Sequence, residues 1–279
     1  MGYSTSTTAM HLASRWLFLS NNPDSLNMIS PDLRELLDSE AKRINSPSFI
    51  DLDPVQFPRR FTDLRDIEIA SLLCASIAWG NRKMICRDCD RMLALMGCDP
   101  YNYVMDQAYE DLPDQNIHRT FFARNLRHFL RGLRRVYSTH GSIDAFAAAN
   151  RVGDDPFPSW RLVELLNNEL RLANNGHEDS RCLPLNLQQT ALKRVNMALR
   201  WLVRRDGIVD LGVWDSIKPS QLFIPLDVHV GNTGRNLGLI TRKANDRRTT
   251  VELTEALRTI RPDDPCIYDY ALFGIGMQL

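Results

Sequence analysis

Two separated segments carry the residue types that could do covalent chemistry. In Leu192–Leu202 the apolar positions Leu192, Val195, Leu199 and Leu202 form one helix face. Lys193, Asn196 and Arg200 fall at steps of three and four, so they share another. A lysine amine becomes a nucleophile when it is partly desolvated. The second segment is Ile224-Pro225-Leu226-Asp227-Val228-His229-Val230, running on to Arg235-Asn236-Leu237-Gly238-Leu239. It reads as an extended approach led by Pro225, an acid at a helix N-cap, and a helix closed by Gly238. Carboxylates are favoured at the positive end of a helix. An acid near a lysine could take its proton or stabilise a sugar cation. A Lys–Asp pair is what cleavage of an N-glycosidic bond with Schiff-base capture requires. Each segment also has a plainer reading: Asp227 as a helix cap, and Lys193 on a solvated helix face.

The elements that must position these residues are helical. Pro31-Asp32 opens a helix carrying Leu33, Leu36 and Leu37. Residues 51–60 hold Pro54 and Pro58 and are expected as loop. Residues 66–78 are apolar nearly all round, which predicts a buried central helix, interrupted by Trp79-Gly80-Asn81-Arg82. A helix is expected over 83–96. Others are expected over 117–137, 142–149 with Ser142 as cap, 159–174, 188–205, 228–237, 246–260 and 267–275. Pro, Gly and Asn punctuate the gaps. No alternating strand pattern stands out, and no repeat or low-complexity segment. The expected fold class is all-α, about ten helices in two lobes with a cleft between them. Residues 1–29 read as a polar N-terminal extension, and 31–279 as the helical domain.

A chain of 279 residues, 44% hydrophobic and 24% charged, has ordinary globular composition and can bury a sizeable core. Net charge is zero, which excludes a wholly basic nucleic-acid binder. The charges are nevertheless grouped. Acids crowd the first third. Basic runs follow at Arg119, Arg124, Arg127, Arg131, Arg134 and Arg135, then at Lys193, Arg194, Arg200, Arg204 and Arg205. The last holds Arg235, Arg242, Lys243, Arg247 and Arg248. Such runs are either solvated faces or, if they converge, a phosphate track. No apolar run reaches the ~20 residues of a membrane span. The Trp16-Leu17-Phe18-Leu19 patch is too short for a signal-peptide core, so a cytoplasmic location is expected. Cys86-x-x-Cys89 lies within a helical pattern and has no second Cys or His pair at zinc spacing. Neither a metal nor a cofactor is expected.

The Pro225–Val230 segment with its Arg235–Leu239 close resembles the catalytic-Asp motif of the helix-hairpin-helix DNA glycosylase superfamily. That superfamily writes it Pro-Val-Asp-Val/Thr-His, a helix, then Arg-x-x-Gly-Leu. Asp66 to Arg82 is similar to its early buried helix and the DNA-probing turn that follows. Ala271-Leu272-Phe273-Gly274-Ile275-Gly276 is similar to its late Leu-x-x-Leu-Gly helix. Lys193 with Arg200 seven positions on more closely resembles the archaeal oxoguanine glycosylase branch. The chain from Pro31 also resembles an uncharacterised bacterial family with the phrases Asp-Pro-Val-Gln-x-Pro, Ile-Ala-Trp-Gly-Asn-Arg and Lys-Arg-x-Asn-Met. The superfamily's glycine hairpin is replaced by Leu183-Pro184-Leu185-Asn186, and its probing turn reads Trp79-Gly80-Asn81-Arg82.

The resemblance implies a DNA glycosylase-like protein that cleaves the N-glycosidic bond of a damaged base, with Schiff-base lyase activity as an extension. Damaged duplex DNA is the implied partner. Lys193 and Asp227 would be catalytic. Trp79, Asn81, Arg82, Asn196, Arg200 and His229 would contact substrate, and Arg200 with the Arg119–Arg135 helix would hold phosphates. Arg127, Arg131, Arg194 and Arg235 would bind nucleic acid. The rival expectation is a non-catalytic nucleic-acid or protein-binding helical module that kept the fold and lost the chemistry.

Overall fold

The computed structural model describes residues 29–279. The N-terminal extension expected over 1–29 therefore lies outside the described residues but for Ile29. The described chain is mostly helical, as the periodicity predicts.

Local chemistry explains where the helices begin. Helix α1 (Pro31–Ile44) starts where the Ser30 hydroxyl accepts from Leu33 N at 3.2 Å and Pro31 presets the first turn. After the short α2 (Pro47–Ile50), two 3-10 turns led by Pro54 and Pro58 replace the loop expected over 51–60. Helix α3 (Leu64–Ser76), capped by Asp63, is buried along its whole length from Ile67. Asn81 caps α4 (Arg82–Leu95), and α5 (Pro100–Met105) follows.

The helix expected over 117–137 is shorter than its pattern. Asn116–His118 (β1) and Phe121–Phe122 (β2) form an antiparallel ribbon instead. Arg119 turns between them with φ +48°, and helix α6 begins only at Ala123 and runs to His140. Its start is fixed by Asn125, whose side-chain oxygen accepts from Phe122 N at 2.7 Å. Helices α7 (Ile143–Ala149) and α8 (Pro158–Ala173) follow close to expectation, with Ser142 capping α7. The helix expected over 188–205 is also shorter: α9 spans Lys193–Val203. Leu192 stands in the left-handed region at φ +51°, its N–H bonded to the Thr190 hydroxyl, and this stops the helix from starting earlier. Helices α10 (Val228–Asn236), α11 (Arg247–Arg258) and α12 (Tyr268–Met277) complete the chain.

The buried side chains form one contiguous core. Within it α12 packs against α1 and α10, α9 against α3, and α6 against α8. Two glycines let α12 sit between its neighbours. A methyl at Gly274 would come within 2.5 Å of Ile44 Cγ1, and one at Gly276 within 2.6 Å of Thr233 Oγ1 and 3.2 Å of the His229 carbonyl. Tyr268 reaches across the same seam, its hydroxyl donating to Asp38 at 2.8 Å. No helix among the described residues is long and apolar enough to cross a membrane.

Candidate functional site

Lys193 is the first residue of α9 and half-buried. Its Nζ lies 3.6 Å from Met197 Sδ, one turn along. Lys193 and Arg194 line a cavity of about 280 Å³ whose apolar wall includes Leu72, Leu183 and Leu192, and Asn245 lines it too. No carboxylate stands in that wall. Arg194 donates to the Ser76 carbonyl and lies 5.1 Å above the Trp79 ring. It has no carboxylate partner among the described residues, and burial holds its guanidinium below the usual value. An uncompensated cation in an apolar wall is costly unless something anionic meets it. Here the Ser76 carbonyl and the Trp79 ring face are what offset the cost.

The turn at Trp79 is held rather than free. His118, fully buried, has Nδ1 2.7 Å from Asp88 and Nε2 2.9 Å from the Trp79 carbonyl. Its ring meets the Trp79 ring edge-on at 4.8 Å. Trp79 is half-buried as a result, with Arg194 on its face. Asn81 is spent as the α4 cap, accepting from Met84 N at 3.2 Å. Arg82 covers the Phe273 ring at 4.9 Å and reaches that of Phe49 at 5.7 Å.

Asp227 is the N-cap of α10, as its sequence context predicts: Oδ1 accepts from Val230 N at 3.0 Å. The side chain is half-buried, and its neighbours Val228 and His229 are exposed. Asn245 joins this cap to the cavity. Its side-chain amide donates to the Asp227 carbonyl at 3.1 Å while the residue lines the wall beside Lys193.

Near enough to feel both charges is a group the sequence reading did not single out. Asp269, buried in the first turn of α12, is pushed up to about 6. Burial is the main cause; the Arg200 guanidinium pulls the other way, the Asp227 charge adds to the rise, and the Lys193 ammonium opposes it. One buried carboxyl thus feels both Lys193 and Asp227. The signal was present in sequence: Asp269 is the single charged residue in an otherwise apolar helix, Tyr268–Met277. Asn245 gave no such signal.

Arg200 and Asn196 do not share an accessible polar face with Lys193, contrary to the helical-wheel expectation. Both are buried, at 4% and 1% exposure. Arg200 bonds Asp210 and Asp269 and lies 4.2 Å over the Tyr270 ring. It is committed inward and holds no phosphate. Asn196 turns back along its own helix and donates to the Ala191 carbonyl at 3.0 Å, pinning the first turn of α9.

The arginines expected to track DNA are also committed within the protein. Arg127 donates to the Leu112 carbonyl, and Arg131 forks onto Glu110 and also reaches Asn174. Arg124 pairs with Asp114 and Arg135 with Glu169. Arg235 donates to the carbonyls of Arg242 and Lys243 at 2.6 and 2.8 Å and to Asn245 Oδ1 at 2.6 Å. It braces a turn rather than facing solvent. A run of arginines in sequence shows charge, but the acids that absorb it lie far away in the chain. Among the described residues, no three His, Cys, Asp or Glu side chains converge as a metal site.

No curated protein and no solved structure matches this chain. A family model matches residues 53–278, a span that includes Lys193, Asp227, Asn245 and Asp269. The chain belongs to the family described as Protein of unknown function (DUF2400).

Proposed function

We propose that this protein is a nucleic-acid glycosylase of the lysine–aspartate type, acting on a residue turned out of the strand into the cavity beside Lys193. The observation that carries the reading is the Asn245 bridge: one side chain lines the Lys193 cavity and hydrogen-bonds the Asp227 main chain. The Asp227 main chain is therefore tied to the wall that carries Lys193. The cationic wall of Lys193 and Arg194, with no carboxylate, supports an anionic substrate. The packing supports a two-lobed arrangement, with α1, α10 and α12 in one group and α3 with α9 in another. The opening is lined by the first turn of α9, the end of α3, the segment leading into α9 and Asn245.

In this reading the Lys193 amine bonds to the anomeric carbon as the glycosidic C–N bond breaks. The electron pair leaves with the base, which takes a proton. Asp227 stabilises the positive charge that develops on the sugar. The sugar ring then opens, its ring oxygen takes a second proton, and a protonated imine joins Lys193 to carbon. One of those protons comes from the amine and one from solvent. A base must leave the stack to reach such a cavity.

Borohydride reduces an imine, so it traps enzyme on DNA that carries the matching lesion or an abasic site. The expected result is a covalent adduct in wild type and none in Lys193→Gln. If a panel of oxidised, deaminated, alkylated and abasic duplexes gives no Lys193-dependent adduct, the covalent mechanism is wrong. Base release that still depends on Asp227 would then mark a monofunctional glycosylase. Absence of both would leave the binding module.

A further inference from the structure

The last basic run, Arg235 to Arg248, divides into two sets in space. Arg235 and Arg242 are turned inward. Arg235 holds the carbonyls of 242 and 243, and Arg242 donates to the Thr249 hydroxyl at 3.0 Å and to Asp246 at 2.6 Å. Asp246, the one acid of the turn, is used twice over: it also caps α11, accepting from Thr249 N at 2.9 Å. Between them these contacts fix the backbone from 242 to 249.

The remaining cations, Lys243, Arg247 and Arg248, have no carboxylate within ion-pair distance among the described residues. Lys243 and Arg248 are exposed. Arg247 is different, because its guanidinium is held over two aromatic faces, 4.6 Å from the Phe157 ring and 4.9 Å from that of Trp160. Stacking of this kind orients the guanidinium plane and leaves its edge donors unused. Arg247 lines an open groove of about 580 Å³ along α8. Of the three acids in that groove, Glu164 pairs with Arg161 and Asp155 accepts from Phe157 N, both partners lying in the groove itself, and Glu178 is exposed.

The groove and the Lys193 cavity share a partition. Leu183, Pro184 and Thr190 line the cavity, and Leu185 to Gln188 line the groove. Trp160 and Asn167 pin the partition through the Thr190 and Pro184 carbonyls. Asn245 sits at the cavity and Arg247 at the groove, two residues apart and so within ~7 Å along the chain. A nucleic-acid strand rises about 3.4 Å per nucleotide. A strand that leaves the cavity past Asn245 reaches Arg247 within about two nucleotides.

We propose that the 242–248 turn is the phosphate-holding surface of this protein, with Arg247 as its fixed contact and Lys243 and Arg248 as flanking ones, and that it holds the strand backbone beside the residue in the cavity. This rests on the nucleic-acid reading of the Lys193 site. It assigns the grip to a turn that reaches from the cavity, at Asn245, to the groove, at Arg247.

The test is binding of a fluorescent duplex carrying one abasic site, titrated at several salt concentrations, with borohydride trapping run in parallel. Arg247→Ala is expected to lower the slope of log affinity against log salt by about one, which weakens binding about tenfold near 0.1 M salt. Lys243→Ala with Arg248→Ala lowers it by about two. Arg161→Ala removes a cation from the same groove, but one already paired with Glu164, and leaves the slope unchanged. Thermal melting of each variant checks that the fold is kept. A slope in Arg247→Ala equal to that in Arg161→Ala overturns the proposal, and trapping at the wild-type level in that variant would leave the glycosylase reading standing. An Arg247-dependent slope without trapping supports the phosphate surface and removes the covalent mechanism. A wild-type protein that binds no duplex at low salt overturns both.

Discussion

Asn245 donates its side-chain amide to the main-chain carbonyl of Asp227 at 3.1 Å, and Arg235 in turn donates to Asn245 Oδ1 at 2.6 Å. The cap of α10 is thereby tied to the turn before α11 through a single amide. Asn245→Ala should cut that tie and leave Arg235 with the carbonyls alone. A loss of about 1 kcal/mol in urea-unfolding stability is expected. Hydrogen exchange should quicken at the 242–245 amides while α6 keeps its protection. Unchanged exchange in that turn would mean the tie does not hold it.

Asp227 has two separable jobs. Asparagine caps a helix about as well as aspartate, so Asp227→Asn should keep stability within a few tenths of a kcal/mol. Asp227→Ala should cost about 0.5–2 kcal/mol. Both should lose base release to the same degree, because neither carries a charge. Base release retained in Asp227→Asn would assign the residue to capping alone.

Arg200 stands between Asp210 and Asp269 with all three buried. Arg200→Met should cost about 3–5 kcal/mol, since it strands the buried Asp269 without its cation, while Asp210 keeps Arg204. Adding Asp269→Asn should recover part of that loss, because the stranded charge is then gone. A double variant no more stable than the single one would show that the pair is not coupled.

Two buried carboxyls hold protons more tightly in the folded chain than outside it. Burial lifts Glu68 from 4.5 to about 7, against donors at Ile143 N, Asp144 N and the Tyr137 hydroxyl. Burial lifts Asp269 from 3.8 to about 6, against Arg200. A raised folded value means the folded state keeps the proton. The contribution is full below the unfolded value and is lost as pH rises through the folded one. Stability is therefore expected to fall between pH ~4.5 and ~7 by about 3 kcal/mol through Glu68. Subtracting the urea-unfolding profile of Glu68→Gln from that of wild type isolates the effect. Parallel profiles would assign the slope to other groups.

Chemistry that acts within a few residues was legible in the sequence. Ser142 capping α7 and Asp227 capping α10 were both readable, because a cap bonds an amide three residues on. The same holds for α3, whose all-round apolar pattern has no other soluble solution than burial. The fate of Arg200 was not legible. A helical wheel assigns a residue to a face but not what covers that face, and Asp269 lies 69 residues away. Arg131 failed for the same reason, its Glu110 partner being 21 residues distant. Lys193 stands out as a candidate by its residue type and spacing, whereas its neighbour Arg194 is informative only once its surroundings are seen in three dimensions.

The seat of α12 between α1 and α10 sets an order on synthesis. Helix α1 leaves the ribosome first, and the face carrying Ile44 has no cover until Gly274 arrives. Asp269 and Gly276, which packs against α10, come from that same late segment. Until residues 268–277 are made, the apolar face of α1 on which they pack is uncovered, the kind of surface through which partly folded chains aggregate. Residues 268–277 are thus the segment whose arrival both covers α1 and brings Asp269 to Arg200.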